Sequence, residues 1–239
     1  MNQKSRKPVK VMIAIPNQGE ITQDVCLQLV DMMAQSFITK KYIIDMRFSK
    51  VTCIDYNRNT IVKMFLNSDN EYLLMMDYDN PCLKNPLDLL DLKKDIMIYP
   101  TLMFKTTDKG EPSINYNVFL KEKKMWRTQR MTPGKPLMEY DAGGTGCILI
   151  KRKVLESLDA PFMSKLKKDG TRDVGSDLWF CKRAKDRGFH IWAHWGYACK
   201  HMKRIDLIDV GRLMLKPLIE ASIIKKAEDK ENLELLRKK

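Results

Sequence analysis

Histidine is scarce in this chain, with three among 239 residues, and the six cysteines include no Cys-x-x-Cys pair. Those shortages argue against zinc ribbons, zinc fingers and thioredoxin-like motifs, which need closely spaced sulfur or imidazole groups. Long apolar runs are missing too: nothing approaches the roughly 20 residues that span a bilayer. Residues 1–10 are polar and basic, without the apolar core and cleavage site of a secretion signal. The expectation is a protein with no transmembrane segment, working in the cytoplasm. Cys26, Cys53, Cys82, Cys147, Cys181 and Cys199 are then read as reduced thiols, several inside apolar runs and so in the core. Also absent is a Gly-rich phosphate loop. The run Ala142-Gly143-Gly144-Thr145-Gly146 precedes an apolar strand, whereas dinucleotide and Walker loops follow a strand and open a helix. These small residues suit a close approach of backbone to a ligand or to the acceptor side of a cleft, or an ordinary tight turn.

What is present fits one substantial α/β domain, with or without a small appendage. The net charge of +13 is unevenly placed. Residues 11–100 carry nine basic and twelve acidic groups, whereas residues 101–239 carry thirty basic and eighteen acidic. A positive field of that kind draws polyanions such as nucleic acid or acidic membrane surfaces, and it equally serves solubility.

Residues 11–15 read as a buried strand ended by Pro16, then a loop Asn17-Gln18-Gly19-Glu20, then Val25, Leu29, Met32 and Met33 at helical spacing. Further strands are expected at 42–48, 72–76, 96–99, 147–150 and 189–193, with helices at 57–66, 86–92 and 178–187, the last stopped by Gly188. Alternating strands and helices imply an α/β sandwich with a mostly parallel sheet, whose ligands gather at the carboxyl ends of the strands. Over 101–140 the pattern weakens, and the segment reads as a long insertion or mobile loop. Its basic stretch of Lys121, Lys123, Lys124, Arg127 and Arg130 around Trp126 is a solvated face or a stacking-plus-phosphate contact.

The apolar run 72–76 leads into Asp77-Tyr78-Asp79 and Pro81. Two carboxylates at i and i+2 beyond a buried strand would point the same way into a cleft. Such oxygens suit Mg²⁺ or Mn²⁺, which complete their shells with water and substrate phosphates. The plainer alternative is one capping Asp and one solvated Asp. His190 and His194 on one strand would lie about 13 Å apart, at 3.3 Å per residue, too far to share a zinc ion.

Taken in order, the first strand and polar loop, Arg58-Asn59, the strand into Asp77-Tyr78-Asp79, the Gly-rich turn into a strand ending Lys151-Arg152, Asp177 before Trp179-Phe180-Cys181, and His201 resemble the GT-A glycosyltransferases. The closest likeness is to inverting family 2, which includes many bacterial and phage sugar transferases. The likeness spans residues 9–204. It implies a GT-A fold, with residues 9–100 as the nucleotide half and 101–204 as the acceptor half, between a basic segment 1–8 and a helical tail 205–239. It implies a UDP-sugar donor, Mn²⁺ or Mg²⁺, and transfer of a hexose or pentose to a hydroxyl. Asp77, Asp79 and His201 would be the metal residues; Asn17, Glu20, Asp55, Arg58, Asp77 and Tyr78 would line the nucleotide pocket. Asp177 would be the general base. Ser176 stands where family members often have Glu, which bears on the acceptor contacts.

The acceptor read first is a 5-hydroxymethylpyrimidine in phage DNA, which would place the enzyme in host cytoplasm. A polysaccharide, lipid or protein acceptor is the rival. Nucleotidyl transfer also uses paired carboxylates and metal, but residues 16–20 lack its basic, Gly-rich signature. A non-catalytic nucleic-acid-binding module is a reading of another class. Outside the resemblance, Asp177 would serve as a helix N-terminal charge and His201 as a surface or core histidine.

Overall fold

The computed structural model describes residues 7–106, 112–123, 125–203, 207, 208, 210, 211, 213–215 and 225. The chain divides into two compact units, Met1–Met103 with Asn115–Met202, and Phe104–Ile114 with Lys203–Lys239. In the second unit helical backbone occurs at 207, 208, 210, 211, 213–215 and 225. The rest of the helical tail expected over 205–239 lies outside the described residues.

The elements are β1 (Val9–Asn17), α1 (Gln23–Thr39), β2 (Tyr42–Lys50), α2 (Ile54–Leu66), β3 (Tyr72–Met76), a 3-10 helix Pro86–Leu92, and β4 (Ile96–Ile98). Then come β5 (Leu102–Thr106), β6 (Pro112–Tyr116), β7 (Val118–Glu122), β8 (Met125–Thr128), β9 (Leu137–Tyr140), β10 (Ala142–Gly143), β11 (Cys147–Lys151) and α3 (Arg152–Glu156). The chain continues through β12 (Lys165–Leu166), β13 (Arg172–Val174), α4 (Ser176–Asp186) and β14 (Ile191–His194).

Seven strands form the central sheet in the order β2-β1-β3-β11-β4-β14-β9. Only β11 and β9 run against the others, so the sheet is mostly parallel. The α/β architecture expected from the alternating apolar runs is the one observed. Strand residues alternate between the two faces, and here both faces are covered. Met12 and Ala14, Leu73 and Met75, Ile96 and Ile98 pack with α2, α3 and α4 residues such as Phe65, Val154 and Phe180. Their neighbours Val11, Ile13, Leu74, Met97 and Tyr99 pack on the other face with Val25, Leu29 and Met32 of α1. Two-sided burial is why these strands are continuously apolar rather than alternating.

The segment 101–140 is not a structureless insertion. It carries β5 to β9, of which β7 and β8 join β10 in a three-stranded sheet and β9 closes one edge of the central sheet. Trp126 packs against the core on the sheet face that carries α2, α3 and α4 instead of standing free for stacking, with Lys121 Nζ 5.7 Å from its ring centroid. Trp195 is a core residue whose Nε1 donates to Tyr140 Oη at 2.8 Å. No described helix is long and apolar enough to cross a membrane.

Candidate active site

Helix α2 follows β2 and so begins at the carboxyl end of the sheet. Its buried face is Arg58, Ile61, Val62 and Phe65, an i, i+3, i+4, i+7 stripe whose first member is charged. That guanidinium, 5% exposed, is the centre of the site. Its Nη1 donates to Asp177 Oδ1 at 2.7 Å and its Nη2 to Asp77 at 3.2 and 3.3 Å. Burial opposes the charge on Arg58, but the carboxylates of Asp177, Asp77 and Asp55 outweigh it and raise its pKa above the ordinary value. Asp77 feels the opposite balance. Burial is the largest influence and, with the nearby charges of Asp177 and Asp79, pushes its carboxyl up to about 6 despite the pull of Arg58.

The acidic triplet does not extend the strand. Asn80 N donates to Asp77 O at 3.1 Å, closing a turn, so strand alternation does not set its side-chain directions. Asp77 faces Arg58. Asp79, 2% exposed, instead has Oδ2 3.9 Å from His201 Nε2. The other ring nitrogen, His201 Nδ1, lies 2.8 Å from Leu102 O, where it can only donate. In the neutral ring that leaves Nε2 as a lone-pair donor facing the carboxylate, the usual arrangement of a metal-binding imidazole.

The Gly-rich turn belongs to the site. Asp77 N donates to Gly146 O at 2.6 Å, and Thr145, fully buried, donates from Oγ1 to Asp177 Oδ1 at 2.7 Å and from N to Oδ2 at 3.3 Å. None of Gly143, Gly144 and Gly146 has a positive φ, so their smallness is used for space. A Cβ on Gly144 would sit 2.6 Å from Asn117 Nδ2, and one on Gly146 would sit 3.1 Å from Asn80 Nδ2 and 3.5 Å from Asp77 Oδ2. Asp177 lies in the first turn of α4, where the helix dipole favours a carboxylate.

The remaining expected residues fall around this cluster with different roles. Asp55 accepts from Ser164 Oγ at 2.9 Å. Asn17 shapes its own loop: Oδ1 accepts from Gly19 N at 2.9 Å and Nδ2 donates to Ile15 O at 3.2 Å. Glu20 is exposed on that loop. The backbone oxygen of Tyr78 accepts from Thr22 N and Oγ1, both at 3.0 Å, which ties the loop to the triplet, while Tyr78 packs on the core of the sheet face covered by α1.

Sequence reasoning missed Thr145, Lys50, Asn80 and Ser164. Lys50 ends β2 opposite Asn17, and its Nζ lies 3.0 Å from the Cβ position of Gly19, a cation beside the first loop. Among the described residues, the buried atoms without a protein hydrogen-bond partner are Asn57 Oδ1, Arg58 Nε and Asn80 Oδ1. Asn80, next to Asp79, therefore offers a hard oxygen to a ligand. The neighbour of Asn17 on the adjacent strand was the available signal for Lys50, and the Gly-rich run around it was the signal for Thr145; nothing local marks Asn80 and Ser164.

A cavity of about 880 Å³ lies elsewhere, between Val9, Tyr42, Tyr72 and Arg152 at the amino ends of β1 to β3. Charge of both signs lines it, and none of the clustered carboxylates faces it.

No protein-family model matches the chain, and no curated protein matches it significantly. Among solved structures, GalNAc-T7 with UDP, GalNAc and Mn²⁺ is 9% identical, with 83% of this chain and 44% of that one aligned at a TM-score of 0.47. UDP-glucose pyrophosphorylase complexed with UDP-glucose is 9% identical over 92% of this chain and 99% of that one, at 0.43. A197 from STIV is 19% identical over 82% of this chain and 87% of that one, at 0.52, a likeness of fold.

Proposed function

We propose that this chain is a GT-A glycosyltransferase that moves a sugar from a UDP-sugar to an acceptor hydroxyl, with inversion and with Mn²⁺ or Mg²⁺. One observation carries the reading: the buried Arg58 gathers the partly exposed carboxylates of Asp77 and Asp177, distant in sequence, into one cluster at the carboxyl end of the sheet. Such an end is where α/β proteins bind ligands.

Asp79 Oδ2 and His201 Nε2, 3.9 Å apart, would hold a divalent ion, and the unpartnered Asn80 Oδ1 of the next residue offers a further hard oxygen. When bound, the ion supplies a Lewis acid that neutralises charge on the departing diphosphate. The protein's own groups do the rest. The loop of Asn17 and Glu20, with Asp55, Arg58 and Tyr78, frames the nucleotide, and Lys50 adds a cation for its phosphates. Asp177 Oδ1 is occupied by Arg58 and Thr145, whereas Oδ2 receives only the longer bond from Thr145 N among the bonds described above. Oδ2 is thus the oxygen that takes the proton of the incoming hydroxyl, and Arg58 and Thr145 fix its orientation. One base and one direct displacement give inversion at the sugar.

The acceptor we infer is a 5-hydroxymethylpyrimidine in DNA. The excess of basic over acidic residues beyond residue 100 supports a polyanion. The test is nucleotide release from a panel of UDP-sugars with Mn²⁺ or Mg²⁺, with and without hydroxymethylcytosine-containing DNA. DNA-dependent UDP release supports both donor and acceptor. UDP release that DNA leaves unchanged refutes the DNA acceptor, and formation of UTP and sugar 1-phosphate from a UDP-sugar and added pyrophosphate, with no UDP released, refutes sugar transfer.

A further inference from the structure

Three of the six cysteines meet in the core although 65 and 117 positions separate Cys82 from Cys147 and from Cys199. All three are buried, and their sulfurs lie within 4.8 Å of one another. Cys82 Sγ is 2.9 Å from Cys199 Sγ and 3.4 Å from Cys147 Sγ. A disulfide needs about 2.05 Å, so none of these pairs is bonded. Two thiolates on one ion at bonds of about 2.3 Å stand roughly 3.8–4.0 Å apart. Both spacings from Cys82 are shorter than that value, and small side-chain rotations open them to it.

The backbone under each sulfur is already fixed. Cys82 N accepts no freedom from its turn: it donates to Gln28 Oε1 at 2.8 Å, while Gln28 Nε2 donates back to Cys82 O at 2.9 Å. Cys199 N donates to Pro100 O at 2.8 Å, and the flanking pairs Leu83 N with Ala198 O and Lys200 N with Pro81 O, both 2.9 Å, clamp Cys82 beside Cys199. Cys147 is the first residue of β11, in register with Met76 of β3, and its O accepts from Tyr99 N at 3.2 Å. Among the described residues this is the group of three or more His, Cys, Asp and Glu side chains whose ligand atoms converge to that degree. Soft thiolate sets of this kind select thiophilic d¹⁰ ions over Mg²⁺ or Mn²⁺.

We propose that Cys82, Cys147 and Cys199 form a second metal site that binds one thiophilic cation, Zn²⁺ or Cu⁺, and thereby staples the segments after β3, before β11 and before His201. Each ligating thiol gives up its proton to the buffer as the ion binds. The site adjoins the carboxylate cluster, since Cys147 follows Gly146, whose O accepts from Asp77 N, but its ligands are other residues and it does not depend on the sugar-transfer reading.

The test uses the full chain, reduced and stripped of metal without oxygen, then titrated with Zn²⁺ or Cu⁺ against a chromophoric chelator. One equivalent bound in either arm, retained by Cys26→Ser and Cys53→Ser and lost in Cys82→Ser, Cys147→Ser and Cys199→Ser, is the expected result; the arm that binds more tightly identifies the ion. X-ray absorption of the loaded wild-type protein supplies a readout that needs no variant, with three sulfurs at about 2.3 Å expected. A shell of only oxygen and nitrogen, failure of the reduced protein to bind either ion, or loss of binding in Cys26→Ser or Cys53→Ser overturns the proposal.

Discussion

Replacing Arg58 by Met keeps most of the side-chain volume and removes the cation that, among the described residues, touches both Asp77 and Asp177. Breaking a fully buried charged pair by deleting one partner costs about 3–5 kcal/mol; here the carboxylates left behind, Asp77 and Asp177, are 24% and 35% exposed, and water reduces the cost to about 1–3 kcal/mol. The site shows the same strain with Arg58 in place. Asp77 is pushed from 3.8 to about 6, and at 1.36 kcal/mol per unit that is a penalty of about 3 kcal/mol on its ionised form. Its folded value lies above its ordinary one, so folding is favoured at low pH, and this contribution is lost as pH rises through about 6. Arg58→Met removes the main counterweight and moves the value higher still. The destabilisation should therefore be largest near pH 8 and shrink toward pH 5. Urea unfolding of both proteins with a chelator present, at pH 5 and pH 8, reads it directly, and Asp77→Asn in the Arg58→Met background should recover 1 kcal/mol or more at pH 8. A loss below about 1 kcal/mol at pH 8, or a larger loss at pH 5 than at pH 8, refutes the electrostatic account.

Gly144→Ala places a methyl 2.6 Å from Asn117 Nδ2 and should cost about 1–3 kcal/mol in thermal or urea unfolding; an unchanged transition would show that the turn yields freely. Gly146→Ala meets Asn80 Nδ2 at 3.1 Å and Asp77 Oδ2 at 3.5 Å, so it should stay folded while UDP release falls by about 10-fold or more, through misplacement of the triplet. Asp79→Ala should lower metal-dependent UDP release by about 100-fold or more and leave DNA binding in place; intact turnover would remove Asp79 from the metal site, and a protein that binds DNA without any turnover in the wild type would favour a binding module. Lys50→Met should raise the KM for the UDP-sugar severalfold and leave the KM for the acceptor unchanged, which steady-state kinetics with each substrate varied in turn would check.

The parts of the fold legible in the sequence are those where both faces of a strand are buried. Residues 11–15, 72–76 and 147–150 read as strands because every position is apolar, and every one of them is buried. The hairpin of β7 and β8 escaped notice for the opposite reason. Its burial falls from Val118 to exposed Lys121 and Glu122, and β8 has a single half-buried residue, Trp126, so charged side chains obscure the alternation. The Asp77-Tyr78-Asp79 triplet was legible as a site through the strand before it, but its directions were not, since the turn closed by Asn80 N replaces strand geometry. Arg58 was legible as a pocket residue, yet its pairing with Asp177 spans 119 positions and leaves no local mark.

Strand order explains both what was hidden and why it collects at one end. Because β11 runs antiparallel between β3 and β4, its first residue, Cys147, lies beside the last residues of both neighbours. Whatever follows β3 and β4 must then pass close to Cys147, and Cys199 is brought there by its bond to Pro100 O, two residues beyond β4. The same crossing puts Gly146 against Asp77 and His201 against Asp79. The thiol cluster and the carboxylate cluster are thus built by one insertion of an antiparallel strand. A substitution that shifts β11, such as Ile148→Ala in its fully buried centre, should disturb both together. It should weaken thiol-dependent metal binding and UDP release in the same protein, whereas loss of one with the other intact would show that the two clusters are positioned independently.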